Sequence, residues 1–391
     1  MDLANAPYLK KQARTADLAI ERRARLRVVS VEQLRTPQFL SAWKNLAARA
    51  SEPNPFFEPW FLIPSLAAYA GANAKAGARV SVLVFYEEGE LAGILPVERS
   101  HNYYGYPVPH CRGWLHDNAF YGAPLVATGF EEAFWNAVLD HSDQTAGLAL
   151  FLHMPLLQEG GPLDRALRAV LASSSRANEI VLRRERAMLK SELSSEDYLS
   201  QALSKKHRKE LRRQRRRLAD GGSLTVHRRT DDFATGEWIA EFLALESAGW
   251  KGDAGSALAG NAATRNFFTS IIQGAARAGK LERLALRLDG KPVAMLASFL
   301  SASGSYSFKT AFDERYAANS PGLQLQIENL DALDRSETEW IDSCAAEGHP
   351  MIDRLWTERR QLVSRNIAIG GSVRRAAFRQ MMAFETRRKA S

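Results

Sequence analysis

Cysteine is almost missing from this chain: Cys111 and Cys344 are the only two in 391 residues. A disulfide framework is therefore excluded, and so is a zinc site built on paired cysteines. The eight histidines show no HExxH spacing, no nucleophile-base-acid set stands out around any Ser or Cys, and no metal is expected. Long apolar runs are also lacking. The longest uncharged stretches, Pro59 to Ala74 and Pro292 to Phe308, are 16 and 17 residues long and are interrupted by Pro, Gly or Ser. Neither makes a membrane-spanning helix, which needs about 20 apolar residues. Lys10, Lys11 and Arg14 occupy the place where a signal peptide would carry its apolar region, so a cytoplasmic protein is expected.

Acidic charge is scarce in only one place. Lys and Arg number 52 against 44 Asp and Glu, a net +8. The segment Ser204 to Leu218, SKKHRKELRRQRRRL, sets nine basic residues against Glu210 and accounts for the whole excess. Leu203, Leu211 and Leu218 recur there at helical spacing, and aromatic residues that would stack on bases are absent. A solvated basic helix with one apolar stripe is expected rather than a nucleic-acid reader. Its charge density still suits an anionic polymer, a membrane surface or tRNA, and any such attraction weakens with salt.

What is present is core material for two domains, with 46% hydrophobic and 25% charged residues. An internal repeat orders it. Val82 to Val97, VLVFYEEGELAGILPV, and Arg283 to Phe299, RLALRLDGKPVAMLASF, are each an apolar run, an acidic residue with Gly, and a second apolar run. Each hairpin follows a helical stretch with a Trp-containing loop (Asn54-Pro-Phe-Phe-Glu-Pro-Trp60; Gly249-Trp-Lys-Gly-Asp253) and precedes a strand, a helix and a strand. The reading is a mixed α/β fold of two like units: a tail over 1–24, a first domain over 25–195, and a second over 196–391 containing the basic helix 204–218 and C-terminal helices.

The sharpest segment is Ser305 to Asp334. Simple alternation puts Tyr306, Phe308, Thr310 and Phe312 on one face of a strand and Lys309 on the other. Ser320 reads as a helix N-cap, Pro321 as the first helical residue, and Leu323, Ile327 and Leu330 as a core-facing stripe. Gly322 would let an anion such as a pyrophosphate approach the N–H groups of that first turn.

On these features the second half resembles the GNAT acyltransferase fold, and most of the chain, from about Leu26 to about Val373, resembles the CelD-type acetyltransferases associated with bacterial cellulose biosynthesis, which are distantly similar to the Fem peptidyltransferases. The resemblance rests on Asn54 to Trp60, the basic helix, Glu246 with Trp250-Lys251-Gly252, and Phe312-Asp-Glu-Arg-Tyr316 followed by Ser320-Pro-Gly322. It implies two tandem GNAT-like domains and an acyl-CoA donor, acetyl-CoA foremost, held by Arg315, Tyr316, Asn319, Ser320, Gly322 and Leu323. Phe308-Lys309 has the order of a Fem-type pair beside the reacting carbonyl, so Lys309 becomes the candidate oxyanion stabiliser. Glu246 and Asp313 are the candidate proton acceptors, with Glu314 behind them. His116, Asp117, Asn118 and Tyr121 fall where Fem-type enzymes hold their acceptor, with Trp250 and Phe308 beside them. The implied function is transfer of an acyl group to an amine or hydroxyl, the acceptor being a small molecule or glycan of polysaccharide or cell-envelope synthesis. The alternatives are aminoacyl-tRNA-dependent transfer and a non-catalytic accessory protein of a polysaccharide-synthesis complex.

Overall fold

The computed structural model describes residues 25–70, 80–249 and 257–390, the side chains of 386–390 excepted. In chain order the strands are β1 (Leu26–Val29), β2 (Val80–Glu87), β3 (Glu90–Ser100), β4 (His110–Gly113), β5 (Leu125–Val126), β6 (Phe151–Gln158), β7 (Asn178–Leu189), β8 (Leu224–Arg229), β9 (Leu281–Leu288), β10 (Lys291–Ser301), β11 (Gly304–Phe312), β12 (Trp340–Asp342) and β13 (Glu358–Ala368). The helices of two turns or more are α1 (Pro37–Ala48), α2 (Pro59–Tyr69), α3 (Glu131–Thr145), α4 (Pro162–Ser173), α5 (Ser195–Ala202), α6 (Lys205–Ala219), α7 (Thr235–Ser247), α8 (Ala262–Arg277), α9 (Pro321–Glu328) and α10 (Ser372–Ala390).

Two compact units result, and they are not the two halves of the sequence. The first takes residues up to Pro59, Ala70–Arg183 and Val363 onward; the second takes Trp60–Tyr69 and Arg184–Leu362. Helix α2 thus belongs with the second unit although it lies early in the chain, and the C-terminal helix α10 belongs with the first.

The repeat is visible in the strand pairing. In the first unit the order is β1-β2-β3-β4-β6, antiparallel up to β4 and parallel between β4 and β6. In the second it is β8-β9-β10-β11-β12, again antiparallel until the parallel pair β11 and β12. Both hairpins turn the same way. Glu88 and Gly89 in one, and Asp289 and Gly290 in the other, all have φ between 47° and 82°. Two successive residues at positive φ make the turn whose twist matches paired strands, and this is why an acidic residue plus Gly recurs there.

The basic segment is helical as expected, capped by the Ser204 hydroxyl accepting the His207 N–H, with Leu211 and Leu218 buried. Leu323, Ile327 and Leu330 join the core cluster around Leu211 and Trp356. Some expectations fail. The helix after Pro321 is α only to Glu328 and tightens to a 3-10 turn over Asn329–Asp334. Strands β7 and β13 escape an apolar-pattern reading because they bury polar groups: Arg186, Arg360, Arg365 and Asn366 are all nearly inaccessible. Arg186 and Arg360 both reach Asp342, and Asn366 reaches His153.

Candidate active site

Strand β11 carries Lys309, and its pairing with β10 slips once. Ala297 pairs with Lys309 while the next residue, Ser298, pairs with Ser307, so Phe308 is the extra residue of a β-bulge. Directly paired residues share a face of a sheet. Lys309 therefore lies on the face of Ala297 and Phe299, together with Tyr306, and does not oppose the aromatic face as strict alternation required. Its Nζ is 5.6 Å from the Phe308 ring. The bulge is invisible in the sequence because it depends on the partner strand.

Phe308 is part of the core and is not exposed for a substrate. Its ring lies 4.6 Å from Phe299, 6.0 Å from Phe61 of α2 and 6.5 Å from Phe268 of α8, and it is 3% exposed. Phe268 in turn stacks on Phe242 of α7, so α7 covers the same face. Four residues beyond Phe242, Glu246 shares that side of the helix. Glu246 is buried rather than a surface carboxylate, and it accepts the Leu258 N–H at 2.9 Å. Trp250 lies outside the described residues.

Beyond Tyr306 the strands part. Pairing between β11 and β12 runs from Gly304 with Trp340 to Tyr306 with Asp342, where β12 ends, while β11 continues to Phe312. At the point of parting, Arg186 and Arg360 converge on Asp342, and Arg360 also reaches the Tyr306 hydroxyl. Burial alone would push the Asp342 carboxyl up, but the two guanidiniums hold it below the usual carboxylate range. Burial, with Asp342 next, raises the Cys344 thiol well above its ordinary value, so it stays protonated and unreactive. Sequence reading missed this cluster; the signal was arginine inside otherwise strand-like stretches.

The loop from β11 leads to the N-terminus of α9. Asp313 binds Arg315 through two oxygens and accepts its backbone N–H, and the hydrogen bond from Arg315 holds its carboxyl below the usual range. That makes it a poor proton acceptor near neutrality. Arg315 is itself exposed, Tyr316 packs against the core beside Leu218 and Leu325, and Asn319 is half-buried. Ser320 precedes the helix as expected, yet it does not cap it through its hydroxyl: it sits at φ 50°, ψ 52°, a conformation that turns the side chain away from the first-turn N–H groups. Gly322 is helical and buried, but an added Cβ would meet the Phe312 ring at 3.1 Å and Met351 sulfur at 3.3 Å. Its missing side chain makes room for the strand, not for a ligand. Leu323 likewise turns its side chain to the core.

What this helix start offers is backbone and field. No acidic residue stands in its first turn. Helix α6 lies alongside: the Gln324 amide donates to the Leu211 carbonyl at 2.9 Å and Arg215 pairs with Glu328 at 2.5 Å, both contacts joining residues 113 apart. Equal offsets mean parallel helices in step. One turn back, His207 and Arg208 are level with Ser320 and Pro321, and the two positive helix ends point the same way. Arg208 is half-buried, with a Nε that has no partner among the described residues.

In the first unit the corresponding place is filled by the chain itself. Gly122 donates its N–H to the Leu156 carbonyl, and a Cβ there would fall 1.9 Å from the Pro155 oxygen. Asn54 clamps the segment, its amide donating to the carbonyls of Tyr121 and Ala123 at 3.2 and 2.6 Å. The fully buried Tyr121 donates its hydroxyl to Glu52, so it is not the acceptor contact expected of it. His116 and Asn118 are half-buried, Asp117 is exposed, and the Asn118 N–H faces His116 Nδ1 at 3.3 Å. Helix α3, which follows, opens with Glu131 and Glu132. Carboxylates at a helix N-terminus repel an anion.

Residues 205–358 match the family described as acetyltransferase (GNAT) domain. Among solved structures, that of FemX superposes with a TM-score of 0.54 at 10% identity, covering 88% of this chain and 97% of its own. A conserved protein of unknown function from Bacteroides thetaiotaomicron superposes with 0.53 at 11% identity, covering 84% and 97%. No curated protein matches the chain. With the matched domain lying in the second unit and its strand order repeated in the first, the fold is mixed α/β with two GNAT-like domains. No helix among the described residues is long and apolar enough to cross a membrane, and no group of His, Cys, Asp or Glu there could hold a metal.

Proposed function

We propose that the chain is an acyl-CoA-dependent acyltransferase that uses its second unit for the donor and transfers to an amine or hydroxyl. The observation that carries this is the paired helix start: α9 and α6 aim their positive ends together, beside a strand that outruns its parallel neighbour. The residues fit the donor's parts. A pyrophosphate suits the N–H groups of Gly322 and Leu323, with Arg208 as the counter-charge, Arg315 being held by Asp313. The extended arm of the donor would lie along β11 past Tyr306, where it replaces the pairing that β12 no longer provides. Its thioester carbonyl then comes to the bulge, within reach of Lys309.

There the acceptor nitrogen or oxygen attacks the carbonyl carbon, Lys309 stabilises the developing oxyanion, and the C–S bond breaks as the tetrahedral adduct collapses. The proton lost by the acceptor goes to Glu246, directly or through water, and CoA leaves as the thiolate. Glu246 is preferred to Asp313 because α7 covers the side of β11 where Phe268 stacks on Phe308, beside Lys309, whereas Asp313 is held by the Arg315 guanidinium. His116, Asp117 and Asn118 are assigned to the acceptor. An acetyl donor and an acceptor in polysaccharide or cell-envelope synthesis rest on the family resemblance alone.

A thermal-shift comparison of CoA, acetyl-CoA and tRNA against buffer tests the reading, since a ligand that binds only the folded state raises the midpoint. A rise with CoA and acetyl-CoA is expected. The exposed basic face of α6 favours one alternative, an aminoacyl-tRNA donor. Tight, salt-sensitive tRNA binding together with tRNA-dependent transfer would establish it instead.

A further inference from the structure

Ten large apolar side chains are exposed among the described residues, and five of them fall on three joined segments of the first unit: Tyr104, Tyr106, Leu148, Val373 and Phe384. The joins are direct. The Leu150 N–H donates to the Pro109 carbonyl at 3.0 Å, the Ile369 N–H to the Leu150 carbonyl at 3.4 Å, and the Tyr103 hydroxyl reaches Glu385 of α10 at 3.4 Å. Tyr104 and Gly105 form a two-residue turn at φ 50° and 90°, closed by reciprocal backbone bonds between Tyr103 and Tyr106. Positive φ is disfavoured for a bulky aromatic residue, yet here it aims the Tyr104 ring outward, 64% exposed.

Helix α10 presents apolar side chains on two sides. Phe378 and Met382 face the core, while Val373, Ala377, Gln380 and Phe384 recur at helical spacing along the outer side and are all exposed. The same helix carries six Arg and Lys residues against Glu385 alone. Weakly apolar side chains, tyrosines with a polar tip, and a basic excess on one helix are what an interfacial segment needs: apolar groups to enter the acyl boundary and cations for the headgroups.

We infer that this face of the first unit, formed by α10 and the Tyr103–Tyr106 turn, docks on an anionic lipid bilayer. Charge complementarity selects the occupant: Arg375 is taken by Asp143, but the half-buried Arg374 and the exposed Arg379 lie on the same helix as the apolar array, and neither contribution is large enough without the other. The inference does not depend on the donor assignment. The test is co-sedimentation of the full chain with phosphatidylcholine vesicles made with and without phosphatidylglycerol. Binding to the anionic vesicles is expected, weaker on neutral ones and weaker in high salt. Y104S/F384S, both exposed positions, should keep the wild-type melting temperature and lose roughly 10-fold or more in vesicle affinity. Arg212, Arg213, Arg216 and Arg217 changed together to Gln on α6 should bind vesicles as wild type does. No binding by the wild-type chain, equal binding by Y104S/F384S, or loss confined to the α6 variant would overturn the proposal. So would a change of oligomeric state in Y104S/F384S without a change in vesicle affinity, which would mark the face as a contact between copies of this chain.

Discussion

At the scale of single residues the account turns on Lys309. If its ammonium meets the oxyanion, Lys309→Ala lowers kcat about 100-fold or more and leaves CoA affinity nearly unchanged, the size expected for one lost oxyanion donor. Turnover and CoA titration on the same preparation separate this from a phosphate contact, which would weaken both. The residue was legible from its place after Phe308. Its direction was not, since the slip at Ala297 and Ser298 is a property of two strands together. The same limit applies to Tyr121, whose burial against Glu52 depends on a residue 69 positions away. A second residue-scale outcome concerns His153. Burial pushes its pKa down to about 4, with its Nδ1 bonded to Asn366 at 2.7 Å. An imidazole that stays neutral when folded but charges near 6.5 when unfolded lends stability above that value, and the contribution drains away as pH falls from 6.5 towards 4. Urea unfolding of the wild type should therefore lose about 3 kcal/mol more than His153→Gln over that window. Equal losses would remove His153 from the acid sensitivity.

At the scale of elements, α6 and α9 act as a pair. The sequence showed each helix and the stripe that buries it, including Leu211 and Leu218. That they run parallel and in step appears only in the contacts of Gln324 with Leu211 and Arg215 with Glu328. The pairing divides the basic residues. Arg208→Gln should raise the KM for acyl-CoA several-fold with kcat little changed, because it removes ground-state and transition-state binding alike. Arg212, Arg213, Arg216 and Arg217 changed together to Gln should leave turnover on a small acceptor as it was, since these exposed residues lie further along the helix. Steady-state kinetics of the two variants decide it: a reversed pattern would move the phosphate site down α6. Gly322 belongs to this scale too. A valine there would press on Phe312 and Met351, so its effect reads on packing and cannot report on the donor.

At the scale of the whole molecule, one strand order occurs twice, but only the second copy starts its helix without a carboxylate in the first turn. The repeat was legible because both hairpins need an acidic residue and Gly at positive φ. The exchange of α2 and α10 between the units was not, because no local pattern says which core a segment will join. The first copy is closed by Gly122 against Pro155 and by the carboxylates of Glu131 and Glu132, so the chain should hold one donor, in the second unit. Isothermal titration of acetyl-CoA into wild type and Ser320→Asp tests this most directly. Aspartate tolerates the left-handed backbone of position 320 better than serine and favours a helix N-terminus, so the variant should melt no lower than wild type. Its carboxylate nonetheless adds a negative charge one residue before the helix start, which opposes a bound pyrophosphate through the field rather than by contact. The account predicts one acetyl-CoA per wild-type chain and binding at least ~10-fold weaker in Ser320→Asp; two molecules per chain, none, or unchanged affinity in the variant would contradict it.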